Sequence, residues 1–205
     1  SWTLGTWPSP NWIVARRYFG KDVPDAEEVL TTTAEERYGK ASVKSARKAW
    51  AIFSSAFAAY PYSNSLVYSS PVQQGPAHPI WLEPSGQQPR ILNSFDHLGW
   101  TQPYGPEAVA EAFRRLATQW EEGVTAFAEV SDSSPRARAD QVIHRACRLY
   151  FASIANQVEI HRLRDRTTER LRLRQLVEDE LRIAEEFLPL CEADSRIGFE
   201  PSLQY

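Results

Sequence analysis

From Pro135 to about Cys191 the apolar residues keep a helical period for more than fifty residues. One straight helix of that length would reach ~80 Å at 1.5 Å per residue. A break is therefore expected near "DRTTER" (165–170), where two threonines interrupt the pattern. The second half carries Leu173, Leu176, Val177, Leu181, Ala184, Phe187, Leu188 and Cys191 on one face. Upstream, Pro106 to about Val130 repeats the pattern, with Val109, Phe113, Leu116, Trp120, Val124 and Phe127 as its apolar stripe. Pro106 suits a first helical turn, "SDSSP" reads as a turn, and Ser134 is placed to cap the next helix.

The N-terminal half reads as shorter pieces. Lys40 to Tyr60 forms an amphipathic helix through Val43, Ala46, Ala49, Trp50, Phe53, Ala56, Phe57 and Tyr60, stopped by Pro61. "TAEERYG" opens a helix at Thr33, with Glu36 as the return half of a capping box, and Gly39 ends it. A separate short helix runs from Pro24–Asp25 to about Leu30. Ser9 or Asn11 caps a helix over about 11–19, closed by Gly20. Before it, "SWTLGTWPSPNW" reads as a strand end and a loop. Residues 61–105 have no helical period. "SLVYSS" and "PIWLEP" could be short strands, but the segment is chiefly an ordered excursion, since its many aromatics argue against disorder. The expected architecture is mainly α: a bundle-like helical domain with a long aromatic loop excursion and a short N-terminal strand.

Composition narrows the function classes. A net charge of −3 supplies no global field to recruit nucleic acid or acidic lipid. Residues 136–196 hold twelve arginines against eleven acids, a mixture that reads as a salt-bridged, solvated face. Neither nucleic acid nor membrane is an expected partner, and no run approaches the ~18 apolar residues of a membrane span. Two cysteines, Cys147 and Cys191, make no disulfide framework and fit no metal spacing. His144 and His161 lie on the long helical pattern and His78 and His97 in the excursion, without a metal motif. No metal or cofactor is expected. The chain has no methionine and no leader pattern at its start, reads as cut from something longer, and leaves its compartment open.

No nucleophile signature is present. Acids outside plain helix faces are Glu83, Asp96, Asp194 and Glu200, and none stands out as catalytic. Asn156 and Gln157 interrupt an apolar run, and either bond to neighbouring elements or reach into a pocket. The positive feature is aromatic: Trp2, Trp7, Trp81 and Trp100 lie in Pro- and Gly-rich text. Flat rings there can stack on the apolar face of a sugar while Asp, Glu, Asn and Arg take its hydroxyls. Core packing is the competing role for each ring.

Four stretches together resemble a family of bacterial proteins related to glycoside hydrolases. "SWTLGTWPSPN" resembles its "SWTLGGYPSPN", "GPAHPI" its "GPANPL", and "IANQVEIHRLR" its "INQ" followed by "LR". "DSRIGFEPSLQY" resembles its closing "DSRIGFEASNHY". The chain departs from the pattern at Thr6–Trp7, at His78, and at Pro201, Leu203 and Gln204. The resemblance implies that residues 1–20 hold the last strand of a (β/α) barrel with its loop and first helix. Residues 21–205 would be the helical C-terminal domain, with 61–105 irregular. The catalytic acids would lie upstream, on the barrel, which becomes a partner within the same protein. This chain would contribute carbohydrate-binding loops, with Trp2, Trp7, Trp100, Tyr104, Arg196 and Glu200 lining the site. The fragment alone is expected to be inactive. A helical interaction or scaffold domain without a ligand is the alternative.

Overall fold

In a computed structural model, residues 9–20, 22–83, 96–131, 134–194 and 197 are described. They form seven α-helices and no strand among the described residues. These are α1 (Pro10–Arg17), α2 (Ala26–Tyr38), α3 (Val43–Phe57), α4 (Asn64–Ser69), α5 (Pro106–Ser131), α6 (Pro135–Leu163) and α7 (Arg170–Ala193). The residues expected to hold the end of a barrel strand lie outside the described set.

Local chemistry sets the boundaries. The Ser9 hydroxyl accepts from the Trp12 amide, the Asp25 carboxylate from Glu28, and the Ser134 hydroxyl from Ala137, each filling a donor that helix geometry leaves orphaned. The long C-terminal pattern breaks where expected. α6 ends at Leu163, a short 3₁₀ turn spans Thr167–Glu169, and α7 begins at Arg170. Two expectations are corrected. The pieces split between Leu30 and Thr33 are one helix, α2, because the Asp25 cap starts a run that no breaker interrupts before Gly39. "SLVYSS" is helical: Ser63 caps α4 at the Leu66 amide, and this local bond outweighs the strand preference of Val67 and Tyr68.

α6 is the central element. It packs against α5 and α7 on its two sides, and α5 in turn packs against α3. The main core joins Phe113 and Leu116 of α5, Leu149, Tyr150 and Ile154 of α6, and Ile183, Phe187 and Leu190 of α7. A second cluster, built on Tyr38, Phe53, Phe127 and Val130, seats α2 and α3 against the far end of α5. A small third cluster of Ile160, Leu163 and Leu176, with Ile80 against it, fastens the irregular segment to the α6–α7 corner. No described helix is long and apolar enough to cross a membrane.

Candidate functional site

The irregular segment is tied to the bundle by buried polar bonds at several points. The Gln157 amide of α6 donates to the Gly75 carbonyl at 2.9 Å and to the Ser153 hydroxyl at 2.8 Å. Gly75 adopts φ +54°, and a Cβ there would come within 2.5 Å of the Tyr150 ring. Backbone and helix can approach this closely only with glycine. At the end of α6, Arg164 donates to the Trp81 carbonyl at 3.2 Å and pairs with Asp96, whose side chain is almost wholly buried. His161 stands 3.8 Å from the same carboxylate. His78 bonds Gln74 at 2.7 Å and meets Trp81 edge to face at 5.8 Å. Burial pushes His78 and His161 down to about 4. The neighbouring His161 adds to the effect at His78 and Arg164 adds to it at His161, while Asp96 opposes both.

Where the segment returns to α5, the Ser63 hydroxyl donates to the Gln102 carbonyl at 3.1 Å and the Tyr104 hydroxyl to the Tyr62 carbonyl at 2.7 Å. Both tyrosine rings at this junction are exposed, Tyr62 at 67% and Tyr104 at 46%. Trp100 is in the main core at 3% exposure.

Two further buried polar groups sit inside the bundle. Glu180 of α7 accepts from Ser153 and, at 3.3 Å, from the Asn156 amide. Burial raises its pKa, and those hydrogen bonds only partly offset the effect. At the other end, Arg37 of α2 grips Asp140 of α6 with two bonds of 2.5 Å, and Tyr38 donates to the same carboxylate at 2.6 Å. Burial, then the Asp140 charge, raises the pKa of Tyr38. Each of these carboxylates is engaged by its neighbours.

A cleft of about 380 Å³ runs along the outer seam of α5 and α6. From α5 it is lined by Arg114, Ala117, Thr118 and Glu121, at the i, i+3, i+4, i+7 spacing of one helix face. From α6 it is lined by Arg148, Ala152, Ala155 and Asn156 on the matching face. Arg148 is held between Glu121 at 3.0 Å and Glu186 of α7 at 2.6 Å.

Of the residues expected to line a site, Trp100 and Tyr104 are described, and the structure separates them into core and surface. Trp2, Trp7, Arg196 and Glu200 lie outside the described residues. Ile197, inside the closing motif, is buried in the main core, and its amide donates to the Asp194 carbonyl at 2.9 Å. Asn156 and Gln157 realise both options open to them: Gln157 bonds a neighbouring loop, and Asn156 lines the cleft. The cleft itself was not anticipated. Its signal was available in three alanines at helical spacing on facing stripes, but alanine is also ordinary core. No described group of three or more His, Cys, Asp or Glu is placed to hold a metal ion. In comparisons with known proteins, no family model, curated protein or solved structure matches the chain.

Proposed function

We propose that this chain is the helical C-terminal region of a glycoside-hydrolase-like protein. In this reading it binds carbohydrate through aromatic residues of its irregular segment, and the catalytic acids lie elsewhere. Support comes first from the resemblance in "SWTLGTWPSPN" and "DSRIGFE". The structural observation that favours it is the anchored excursion, which carries the exposed rings of Tyr62 and Tyr104 on a framework tied down by Gln157 and Arg164. Recognition loops are effective when a rigid scaffold positions them. The buried acids add to this. Asp140 and Asp96 are neutralised by arginines and Glu180 is enclosed by hydrogen bonds, so none is free to act on a substrate.

Calorimetry with a panel of neutral oligosaccharides on the full-length protein tests this reading. Tyr62→Ala and Tyr104→Ala are expected to weaken binding about tenfold, roughly the 1.4 kcal/mol of one lost ring contact, as are Trp2→Ala and Trp7→Ala. Unchanged affinity in all four variants sinks the assignment. Residues 1–205 alone are expected to hydrolyse none of the panel, and measurable turnover would place catalytic acids within them.

A second reading, a helical scaffold without a ligand, is favoured by Leu181 and Leu188. They lie seven residues apart on one side of α7 and are both exposed. It gains if the panel shows no binding and if Leu181→Ser with Leu188→Ser changes the assembly state of the full-length protein.

A further inference from the structure

We propose that the seam between α5 and α6 is a binding site for a small, neutral, polyhydroxylated ligand. The cleft holds about 380 Å³, within the roughly 300–1,000 Å³ typical of small-molecule sites. Its floor is made of Ala117, Ala152 and Ala155, where two packed helices would ordinarily interlock larger side chains. Methyl groups leave a shallow apolar bed suited to the C–H face of a ring.

The rim selects for charge. Arg148 is already neutralised by Glu121 and Glu186, and Arg114 by Glu111 at 2.6 Å. An anion would have to displace a carboxylate or sit against Glu121. A cation would likewise have to displace a guanidinium from its carboxylate. A neutral hydroxyl meets neither obstacle. Each guanidinium has five N–H donors, of which Arg148 donates to Glu186 while its Nε pairs with Glu121, and a carboxylate keeps spare lone pairs. Thr118 donates its own proton to the Arg114 carbonyl at 3.0 Å, so its oxygen is left as an acceptor. The rim therefore offers both donors and acceptors.

The rim is also held in place. Arg148 is clamped from two helices, and Asn156 is braced from below by Glu180. Little side-chain freedom is lost when a ligand binds such a rim. This site is separate from the Tyr62–Tyr104 surface and does not depend on it.

Amide chemical-shift mapping on the ¹⁵N-labelled 205-residue chain tests the proposal, with cellobiose, maltose and chitobiose as neutral probes. Citrate and spermidine serve as anionic and cationic controls. At least one neutral disaccharide is expected to shift the amides of Ala117, Ala152 and Asn156. Ala152→Leu, which fills the floor, and Glu121→Gln, which replaces one carboxylate oxygen with a donor and loosens the hold on Arg148, are each expected to weaken that binding tenfold or more. Tyr62→Ala and Tyr104→Ala are expected to leave these shifts intact. No shift with any neutral probe overturns the proposal, as do shifts with citrate or spermidine alone, or wild-type binding in Glu121→Gln. If the tyrosine variants abolish all binding and the cleft variants do not, the aromatic site stands and the cleft falls.

Discussion

Arg37 and Asp140 lie 103 positions apart and meet almost entirely out of water. Burial works against the Arg37 charge, but the hydrogen bonds and charge of Asp140 outweigh it and raise the arginine pKa. A buried pair of this kind contributes little net stability, yet breaking it leaves an uncompensated charge inside the protein. Asp140→Asn is therefore expected to cost about 3–5 kcal/mol in urea unfolding, while the double variant Arg37→Met with Asp140→Leu recovers most of the loss. A single variant that unfolds like wild type would show that the charge is solvated. The sequence did not reveal this pair, because each residue sits in an ordinary amphipathic pattern and only the crossing of α2 with α6 brings them together. Asn156 and Gln157 were legible as odd residues in an apolar run, but their partners Glu180 and Gly75 were not.

Helix order and most helix ends followed from period and caps, since both act within a few residues of one another. Spacing between helices did not. Gly123 lies in the middle of α5, where glycine costs roughly 1 kcal/mol relative to alanine. Its use is explained by α3: a Cβ at Gly123 would stand 2.5 Å from Cδ1 of Phe53. Gly123→Ala should gain propensity and lose more through overpacking, for a net destabilisation of about 1–3 kcal/mol. Adding Phe53→Leu should restore part of it. Thermal unfolding of the three variants measures this, and an alanine variant at least as stable as wild type would mean that α3 can move aside without cost. Within the excursion, the α4 turn is hidden behind residues that favour strands.

At the scale of the whole molecule, several titrating groups are held away from their ordinary behaviour by packing. His144 is wedged between the rings of Phe53 and Phe127, at 4.4 and 4.5 Å. Part of the residue reaches the surface, but its Nδ1 is inside, and burial pushes its pKa down to about 4. His78 and His161 are pushed down to about 4 as well, mainly by burial. Each binds protons more readily in the unfolded chain, where it titrates near 6.5. Their stabilising contribution is full above pH 6.5 and is lost as pH falls toward 4. The unfolding free energy from urea titration is expected to drop by about 2 kcal/mol or more between pH 7 and pH 4, and His144→Phe should flatten that slope. A wild-type profile in the variant would show that His144 is not held neutral. Glu180 acts in the opposite sense. Its raised pKa favours the protonated form in the fold, so its contribution is lost as pH rises, and Glu180→Gln should remove that dependence.

What the sequence determined by itself was the helical class and the break between α6 and α7. These depend on contacts a few residues apart, which a linear pattern encodes. The tertiary structure decided which aromatics face water and which polar residues meet. It put Trp100 in the core and left Tyr104 outside, although both lie in similar loop text. It also opened a cleft at three alanines that no local rule distinguishes from ordinary packing. Burial and long-range pairing depend on where helices cross, and that geometry arises only when the whole chain is folded.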